Sequence, residues 1–349
     1  MFAETYPQFV QKSRWLKNLV HSAALSDAAG FLVRPLLVRS WHGTINVVYY
    51  HYVGTAQPHY SAFYRGCTVE KFSNDLRILS QIFDFVPLAE ALRGSPRTQH
   101  GRPKLALTFD DGFDLRKGGA MEVLERFGVK ATTFVMTAAV GNHMLMWRCV
   151  LSAIEALVPE PVWRREYLEL AACNGLPPLP ENQTLLQATC NQWSMERKDE
   201  LAAELWKRCS LPPIENYLAE NKPYFDWDGL KEWLGAGHSV GFHTHTHPFC
   251  SRLRSADLEC ELIRPAVQLK QRLGLEDMCL SYPFGDPLPP VLERALFEKG
   301  LFKAIFGTNG FSPRGTLNAR LGRLSMEDCN VEKQLLSERL LALRRRMLR

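Results

Sequence analysis

Two adjacent carboxylates, Asp110 and Asp111, follow a strongly apolar segment at 105–109. The apolar run followed by Gly112 predicts a buried strand that ends in a turn, where α/β proteins place catalytic groups. Neighbouring side chains on an extended backbone point in opposite directions, so the two carboxylates cannot share one task. We expect one to bind a metal ion and the other to stay free as a base. A turn or helix-capping role would explain one of these acids but not both.

Three histidines at alternate positions, His243, His245 and His247, lie on a later segment that ends at Pro248. A helical turn would place His243 and His247 on one face and point His245 away, whereas an extended backbone would place all three on one face. Either conformation brings at least two imidazoles together. With Asp111 as an oxygen ligand, the Asp-His-His set leaves coordination positions open for water, as in a catalytic zinc site.

Strand and helix patterns alternate along the rest of the chain and must position these groups. Apolar or β-branched runs predict strands at 45–50, 105–109, 129–136, 239–242, 278–282 and 302–306. Helical periodicity predicts helices at 69–79, 119–127, 255–273 and 291–299. We expect Pro265 to bend the long third helix and Gly274 to end it. Repeated β-then-α units predict an α/β fold with a parallel sheet, either open or closed into a barrel.

Three segments fall outside this alternation. Residues 148–222 carry helical patterns, prolines and aromatic residues, and they predict a helical insertion that is either a lid over the site or a peripheral subdomain. The N-terminal segment 1–42 predicts one or two amphipathic helices, and 331–349 predicts a basic amphipathic helix. Both terminal segments are expected at the surface, with contact to an anionic membrane as the alternative. The central domain is then 43–330.

The composition narrows the class of protein. The chain has 349 residues, 46% of them hydrophobic, and a net charge of +5. It has no basic run interleaved with aromatic residues and no glycine-rich phosphate loop, so a nucleic-acid partner is not expected. Nine scattered cysteines without a Cys-x-x-Cys pair are typical of reduced thiols. Neither a signal-peptide pattern nor a run of about 18 apolar residues is present, so we expect a cytoplasmic protein, with any peripheral contact at the inner membrane face.

Two of the segments described above resemble motifs of a known family. The Thr-Phe-Asp-Asp-Gly segment at 108–112 and the His-Thr-x-Thr-His-Pro segment at 243–248 are similar to the first two motifs of the polysaccharide deacetylase family. This family is also called the NodB-homology family or carbohydrate esterase family four. The resemblance covers the chain from 47 to 325, interrupted by the insertion, and implies a deformed (β/α) barrel of about seven strands with added helices.

The resemblance also implies roles for individual residues. Asp110 corresponds to the general base, and the implied metal ligands are Asp111, His243 and His247. The implied metal is Zn²⁺, with Co²⁺, Ni²⁺ or Mn²⁺ as alternatives. Relatives with a Tyr-His pair on the first strand use that histidine as the general acid, which implies this role for His51. A histidine that is only hydrogen-bonded at a strand end is the alternative.

The third motif departs from the better-known members of the family. Tyr282, Pro283, Phe284 and Gly285 stand where those members have Arg-Pro-Pro-Tyr, as in a sub-group that acts on envelope and exopolysaccharide sugars. The segment implies a rigid rim whose Phe284 N–H faces the oxyanion, with a plain tight turn as the alternative. The arginine that steers the base is missing here, and the late Leu-x-x-His acid is replaced by a segment that contains Arg323. Arg323 is therefore a candidate to orient the base.

The sequence thus predicts a metal-dependent hydrolase that removes acetyl groups. N-acetyl groups are the preferred prediction. The expected substrate is an acetylated glycan or glycolipid: a surface polysaccharide, a lipopolysaccharide, or its lipid- or nucleotide-linked precursor. One alternative is a non-catalytic glycan-binding or assembly protein on the same barrel. The other is a metal-dependent hydrolase of a different ester or amide.

Overall fold

A computed structural model describes residues 41–64, 66–93, 98, 101–180, 183–315, 320–327 and 329–338. Almost all of the predicted N-terminal segment 1–42 lies outside these ranges, as do residues 339–349 of the predicted basic helix, while 331–338 are helical. Within the described ranges, no helix is long and apolar enough to cross a membrane. Contact of the two terminal segments with a membrane surface stays a prediction.

The strands form one large parallel sheet and one small antiparallel pair. Their bounds are β1 Thr44–Ile45, β2 Val47–Tyr50, β3 Asp84–Phe85, β4 Lys104–Phe109, β5 Ala131–Val135, β6 Ser239–Phe242, β7 Leu280–Ser281, β8 Ile305–Phe306, β9 Ser312–Pro313 and β10 Leu324–Ser325. The order in the large sheet is β10-β2-β4-β5-β6-β7-β8, β3 also pairs with β4, and β1 pairs with β9. Seven parallel strands curl through 252° into a half-barrel surrounded by helices. This confirms the predicted deformed (β/α) barrel.

The central strands are buried on both faces. Every residue of β4 and of β5 is buried, which is why these segments are nearly continuous apolar runs. The strand predicted at 278–282 is assigned only over Leu280–Ser281, and the one at 302–306 only over Ile305–Phe306. Hydrogen bonds between the two segments nevertheless run from Lys303 N to Met278 O and from Tyr282 N to Phe306 O. The predicted strands are therefore paired over most of their length.

Helices connect the strands and cover the sheet. Their bounds are α1 Val69–Ile82, α2 Leu88–Leu92, α3 Ala120–Phe127, α4 Trp147–Leu157, α5 Glu160–Cys173, α6 Leu185–Gln192, α7 Lys198–Arg208, α8 Ile214–Asn221, α9 Trp227–Gly235, α10 Arg264–Leu273 and α11 Pro290–Glu298. The 3₁₀ turns are Trp41–Gly43, His59–Ser61, Cys250–Arg252 and Pro283–Gly285. Gly274 ends α10 with a left-handed backbone (φ 64°), as predicted.

The helix predicted at 255–273 is not a continuous α-helix. Residues 257–258 are α-helical, a π-helical turn follows at Glu259–Ile263, and this turn leads directly into α10. Pro265 has no N–H, and its ring would clash with the carbonyl of residue 261 in a regular α-helix. The π-helical turn accommodates this proline, so Pro265 changes the helix type at this position.

The insertion packs at the end of the sheet where the strands finish. Its helices α4 to α8 form a hydrophobic cluster that is distinct from the barrel core. The same cluster contains Tyr64 and Phe113, which belong to the segments that follow β2 and β4. No described residue of 148–222 belongs to a strand, in agreement with the predicted helical insertion. The exact division of the chain into domains stays a prediction.

Candidate active site

The residues predicted as base, acid and metal ligands all follow strands of the large sheet. Asp110 and Asp111 follow β4, His243 and His247 follow β6, and His51 follows β2. Since the carboxyl ends of parallel strands meet at one edge of a barrel, residues far apart in sequence come together there. Asp111 and the two histidines after β6 are buried, and one ligand atom from each lies within 4.8 Å of the others.

The Asp111 carboxylate is the centre of this group. Its Oδ1 lies 3.1 Å from His243 Nε2 and 3.2 Å from His247 Nε2, yet it accepts no hydrogen bond from a described residue. Its Oδ2 accepts a hydrogen bond from the Tyr64 hydroxyl. Burial alone would raise the pKa of Asp111, but the adjacent His247 and His243 hold it well below its usual value. Asp111 is therefore ionised.

The two histidines present their Nε2 atoms to this carboxylate. His243 Nδ1 lies 2.7 Å from the Ser281 carbonyl oxygen, which can only accept, so Nδ1 donates this hydrogen bond and Nε2 is the nitrogen that faces Asp111. Burial lowers the pKa of His247 to about 4, so its ring is neutral. In the tautomer with its proton on Nδ1, each ring has an Nε2 lone pair that can bind a cation shared with Asp111 Oδ1. The donor set and its spacing therefore fit a divalent ion, since tetrahedral Zn²⁺ with bonds of about 2.0–2.1 Å separates its donors by roughly 3.3 Å.

The backbone around the ligands adopts left-handed conformations. Asp111 has φ 68°, Thr244 φ 69° and His247 φ 58°, and each such non-glycine residue costs about 1–3 kcal/mol. The histidine segment is thus neither helical nor extended, and both conformations considered from the sequence are wrong. A helical turn was expected to point His245 away from the other two histidines, and this orientation is observed. His245 points away from Asp111, and its Nδ1 lies 2.8 Å from Thr137 Oγ1.

The loop that carries the histidines forms hydrogen bonds with Glu261 of the π-helical turn. The Glu261 carbonyl accepts from His245 N at 2.9 Å, and the Glu261 carboxylate accepts from Thr246 N at 3.1 Å and from Thr246 Oγ1 at 2.7 Å. In a regular α-helix, Pro265 would leave this carbonyl without its donor. Lys198 of α7 donates to Thr246 Oγ1 at 2.7 Å, so the insertion also supports the loop.

We expect Glu261→Gln to weaken Zn²⁺ binding about 10–100-fold, because an amide cannot accept both hydrogen bonds from Thr246 and the loop loses its anchor. Competition for Zn²⁺ with a chromophoric chelator measures the affinity. Glu259→Gln, an exposed change in the same turn, is the matched control. Equal affinities of the Glu261 variant and the wild type would show that this anchor does not position the ligands.

Asp110 is held by a buried arginine instead of the metal ligands. Arg323 Nη1 and Nη2 donate to the two oxygens of Asp110, both at 2.7 Å. Nη1 also donates to Thr108 Oγ1 at 3.1 Å, and Nη2 donates to Ser281 Oγ at 2.6 Å. Burial alone would raise the pKa of Asp110, but the charge of Arg323 lowers it below its usual value. The candidate chosen to orient the base is therefore in direct contact with it.

Arg323 reaches Asp110 from inside the barrel. It precedes β10, which lies beside β2, and its side chain is completely buried. The rings of Tyr49, Phe134 and Phe306 surround the guanidinium, with centroids 4.7, 5.2 and 5.9 Å from Cζ. Arg323 thus contacts the carboxylate that the arginine missing from the third motif is expected to steer, and its action on a base stays a prediction.

His51 is paired with a carboxylate near the other end of the chain. Its backbone N donates to Glu327 Oε1 at 2.5 Å, and its Nδ1 lies 2.8 Å from Glu327 Oε2. Burial would lower the pKa of His51, but the charge of Glu327 and this hydrogen bond raise it to about 9. His51 is therefore protonated at neutral pH, the state that a general acid requires.

We expect Glu327→Gln to move the alkaline limb of the pH–rate profile to lower pH. The substitution removes the charge that raises the pKa of His51 from 6.5 to about 9. A general acid acts while protonated, so activity is present below this pKa and is lost as the pH rises through it. The stability contributed by the His51–Glu327 pair follows the same sign: it is complete below about pH 6.5 and disappears as the pH rises through about 9.

The shift is measured by kcat between about pH 6 and 10 for the variant and the wild type at the same metal content. A bound ion lowers the pKa of His51 in both proteins, so the difference between them is the readout. Glu90→Gln, which removes an exposed carboxylate paired with Lys104, is the control. Identical alkaline limbs would contradict the role of Glu327.

The Tyr-Pro-Phe-Gly segment forms a tight turn after β7. Phe284 has φ 58°, Gly285 has φ 66°, and a Cβ at Gly285 would collide with the Thr308 side chain. Tyr282 and Pro283 are buried. This backbone fits both the rigid rim and the plain tight turn considered from the sequence, and the action of the Phe284 N–H on an oxyanion stays a prediction.

Aromatic side chains close the site on the side of His247. The Phe284 ring lies 4.7 Å from the His247 ring and stacks on Phe249 at 4.2 Å between centroids. Trp147, the first residue of α4, donates its indole N–H to the His247 carbonyl at 3.0 Å. The insertion thus contributes directly to the wall of the site.

Three contacts of the site were missed from the sequence: Tyr64 on Asp111, Glu327 on His51, and Glu261 on the histidine loop. Glu327 lies two residues beyond β10, and a carboxylate just after a strand is the signal that identified Asp110. Tyr64 and Glu261 give no comparable local pattern, because a turn and a π-helical segment bring them to the site.

Known proteins share this sequence pattern and this fold. The profile of the polysaccharide deacetylase family matches residues 97–296. The deacetylase PplD from Streptococcus pyogenes has 15% identity and a TM-score of 0.53, covering 84% of this chain and 98% of its own. IcaB from Ammonifex degensii has 18% identity and a TM-score of 0.51, covering 84% and 97%. The de-N-acetylase from Aggregatibacter actinomycetemcomitans has 14% identity and a TM-score of 0.50, covering 83% and 98%.

The structural similarities, at these low identities, establish a common fold. Comparison with curated protein sequences gives no match. The family profile spans more than half of the chain and includes both carboxylates after β4 and the histidine loop. The chain therefore belongs to the polysaccharide deacetylase family, hydrolases that act on carbon–nitrogen bonds other than peptide bonds.

Proposed function

We propose that this protein is a metal-dependent deacetylase that removes N-acetyl groups from a sugar of a surface polysaccharide, a lipopolysaccharide, or a lipid- or nucleotide-linked precursor. The observation that carries the proposal is the division of labour between the two neighbouring acids. Asp111 faces two imidazole nitrogens with an oxygen that accepts no hydrogen bond from a described residue, while Asp110 is paired with Arg323.

The proposed ligands of the ion are Asp111 Oδ1, His243 Nε2 and His247 Nε2. Two nitrogens and one oxygen favour Zn²⁺, with Co²⁺, Ni²⁺ and Mn²⁺ as alternatives. When bound, a divalent ion polarises the acetyl carbonyl and lowers the pKa of a water toward about 7.

Asp110 accepts the proton of the attacking water. Arg323 keeps Asp110 ionised and fixes the plane of its carboxylate, so the base is available at neutral pH. The proposed donor to the developing oxyanion is the Phe284 N–H, and loss of one such donor typically costs about 3–4 kcal/mol.

His51 donates a proton to the departing nitrogen as the carbon–nitrogen bond breaks, which yields acetate and a free amine. An amine leaves as a neutral molecule only after it receives this proton, so a histidine held protonated by Glu327 suits N-deacetylation. General acid catalysis of this kind contributes about 10²–10⁴ in rate.

Metal removal tests the proposal. We expect the purified chain to carry about one divalent ion, and acetate release from acetylated amino-sugar substrates to stop on chelation and return with Zn²⁺. His247→Gln should lose the ion. His245→Gln, which changes the histidine of the same loop that faces Thr137, is the matched control and should retain it.

Other outcomes separate the competing functions. A chain with no ion and no turnover would instead be a glycan-binding or assembly protein. A metal-loaded chain that releases a product other than acetate would be a hydrolase of another ester or amide. Mass spectrometry of cell-envelope glycans from a deletion strain should detect the mass of one retained acetyl group on the true substrate.

A further inference from the structure

Arg148 brings a third positive group to the site. It lies in the first turn of α4, and its guanidinium carbon is 4.2 Å from the centre of the Tyr64 ring and 5.5 Å from the centre of the Phe284 ring. Tyr64 contacts Asp111, and Phe284 contacts His247. Arg148 is therefore held between the two aromatic side chains that flank the proposed metal ligands.

Arg148 forms no ion pair with a described residue, unlike the other cations of the site. Arg323 is paired with Asp110, and His51 is paired with Glu327. No residue in the described part of the chain accepts a hydrogen bond from the Arg148 guanidinium or forms an ion pair with it, and its Nε is buried. Burying the donors of a charged group without acceptors is unfavourable, and such groups in native structures call for an explanation such as a ligand.

The geometry leaves the guanidinium N–H groups available to a ligand. Ring contacts engage the flat faces of a guanidinium, whereas its N–H groups lie in the plane and match pairs of oxygens in phosphates and carboxylates. Among the described residues, Asp111 forms no hydrogen bond or ion pair with Arg148: its Oδ2 accepts from the Tyr64 hydroxyl, and its Oδ1 faces the two histidines. A bound divalent ion would make the surroundings of Asp111 still more positive.

A second arginine extends the positive surface away from the ligands. The Arg252 guanidinium carbon is 4.7 Å from the centre of the Phe249 ring, and Phe249 stacks on Phe284. Arg252 and Arg148 thus lie at the two ends of a stacked aromatic pair. Arg252 is exposed, so the positive surface continues from the buried site toward solvent.

We propose that the Arg148 guanidinium binds an oxyanion, a phosphate or a carboxylate, that the acetylated sugar carries beside its acetyl group. The inference rests on the proposed function, because it concerns the substrate of that same site. Binding of this oxyanion by Arg148 makes the enzyme selective for charged glycans or phosphate-linked sugars over neutral acetylated polymers.

Three small probes test this selectivity on the full, metal-loaded chain. They are N-acetylglucosamine 1-phosphate, the corresponding acetylated uronic acid, and the neutral methyl glycoside of N-acetylglucosamine. We expect at least one anionic probe to bind about tenfold or more tightly than the neutral one by calorimetry, and to show a lower KM at similar kcat. The anionic probe that binds more tightly than the neutral one identifies the oxyanion as phosphate or carboxylate.

Substitutions assign the preference to Arg148. Arg148→Gln should remove the difference between the anionic and neutral probes, and Arg148→Lys should retain part of it, since the charge remains but the paired donors do not. Arg165→Gln removes a charge from an exposed arginine of the same insertion, which pairs with Glu166, and should keep the preference. Thermal unfolding and metal content are measured for each variant. If Arg148→Gln does not fold, the Arg148→Lys variant and competition by inorganic phosphate in the wild type replace it.

Each result decides one of the two proposals. Equal binding of charged and neutral probes by the wild type, no measurable binding of either anionic probe, or an equal loss for all probes in Arg148→Gln would overturn the oxyanion site. Acetate release with no preference leaves the deacetylase proposal in place and removes the oxyanion site. Selective binding that depends on Arg148, without acetate release from any probe, supports the oxyanion site and contradicts the deacetylase proposal.

Discussion

Asp110→Asn should lower kcat for acetate release by about 10²–10⁴-fold while the chain keeps its metal ion. The amide cannot accept the proton of the attacking water, so the step assigned to Asp110 is lost. The ion should stay, because the proposed ligands are Asp111 and the two histidines, with no contribution from Asp110. Acetate release by enzyme assay and metal content by elemental analysis are measured on the same preparation.

Asp114→Asn is the matched control for this substitution. Asp114 is also a buried carboxylate, but it pairs with Arg116 outside the site, so its loss affects stability and not the chemical step. Comparing kcat per metal-loaded chain removes the contribution of partial unfolding. A wild-type rate in Asp110→Asn would show that Asp110 is not the base.

Arg323→Met should lower the free energy of unfolding by about 3–5 kcal/mol, because it leaves the buried Asp110 without a counter-ion. The pKa of Asp110 should rise above its usual value, since burial is then no longer opposed by Arg323. In the wild type, the lowered pKa contributes stability above pH 4 or so, and this contribution is lost as the pH falls through the pKa of the folded state. In the variant the sign reverses, so its deficit in stability should shrink as the pH falls and Asp110 takes up a proton.

The same substitution should affect catalysis through the base. With a raised pKa, Asp110 is protonated over a wider pH range, so the acidic limb of the kcat profile should move to higher pH. Arg323→Lys keeps a positive charge but cannot donate to both oxygens at once, and its defects should be smaller. Denaturant unfolding and pH–rate profiles measure the two effects.

A double variant separates the charge effect from the loss of packing. Arg323→Met combined with Asp110→Asn removes both charges, so it should recover part of the stability that Arg323→Met loses alone. Equal stability of Arg323→Met and the wild type at neutral pH would contradict the importance of this pair. A double variant less stable than the sum of the two single changes would assign the effect to packing around Tyr49 and Phe134.

The sequence was informative where local pattern determines position. The apolar run that precedes Asp110 is β4, and a carboxylate at the end of such a strand must lie at the edge where the other strands end. The same reasoning places His243 after β6 and His51 after β2. Arg323 was a candidate for contact with Asp110 because it lies in the segment that replaces the late Leu-x-x-His motif.

The remaining features depend on tertiary context. Both predicted conformations of the histidine segment, helical and extended, were wrong. Thr244 and His247 adopt left-handed backbones that no local propensity favours. The π-helical turn escaped notice because a proline predicts a bend but not the helix type that follows from it. Glu327 reaches His51 because β10 lies beside β2, and strand order is not encoded in any short segment.

The two ion pairs that hold the acid and the base also join distant parts of the chain. Glu327 is 276 positions from His51, and Arg323 is 213 positions from Asp110. Contacts of such sequence separation form late, because the entropy of closing a long loop must be overcome before the contact stabilises the chain. During synthesis, Asp110 and His51 therefore emerge long before their partners, and burial of Asp110 stays unfavourable until β10 is made. We expect the pairing of β10 with β2 to bring the Asp110–Arg323 and His51–Glu327 pairs together, which links assembly of the barrel to charge neutralisation at its centre.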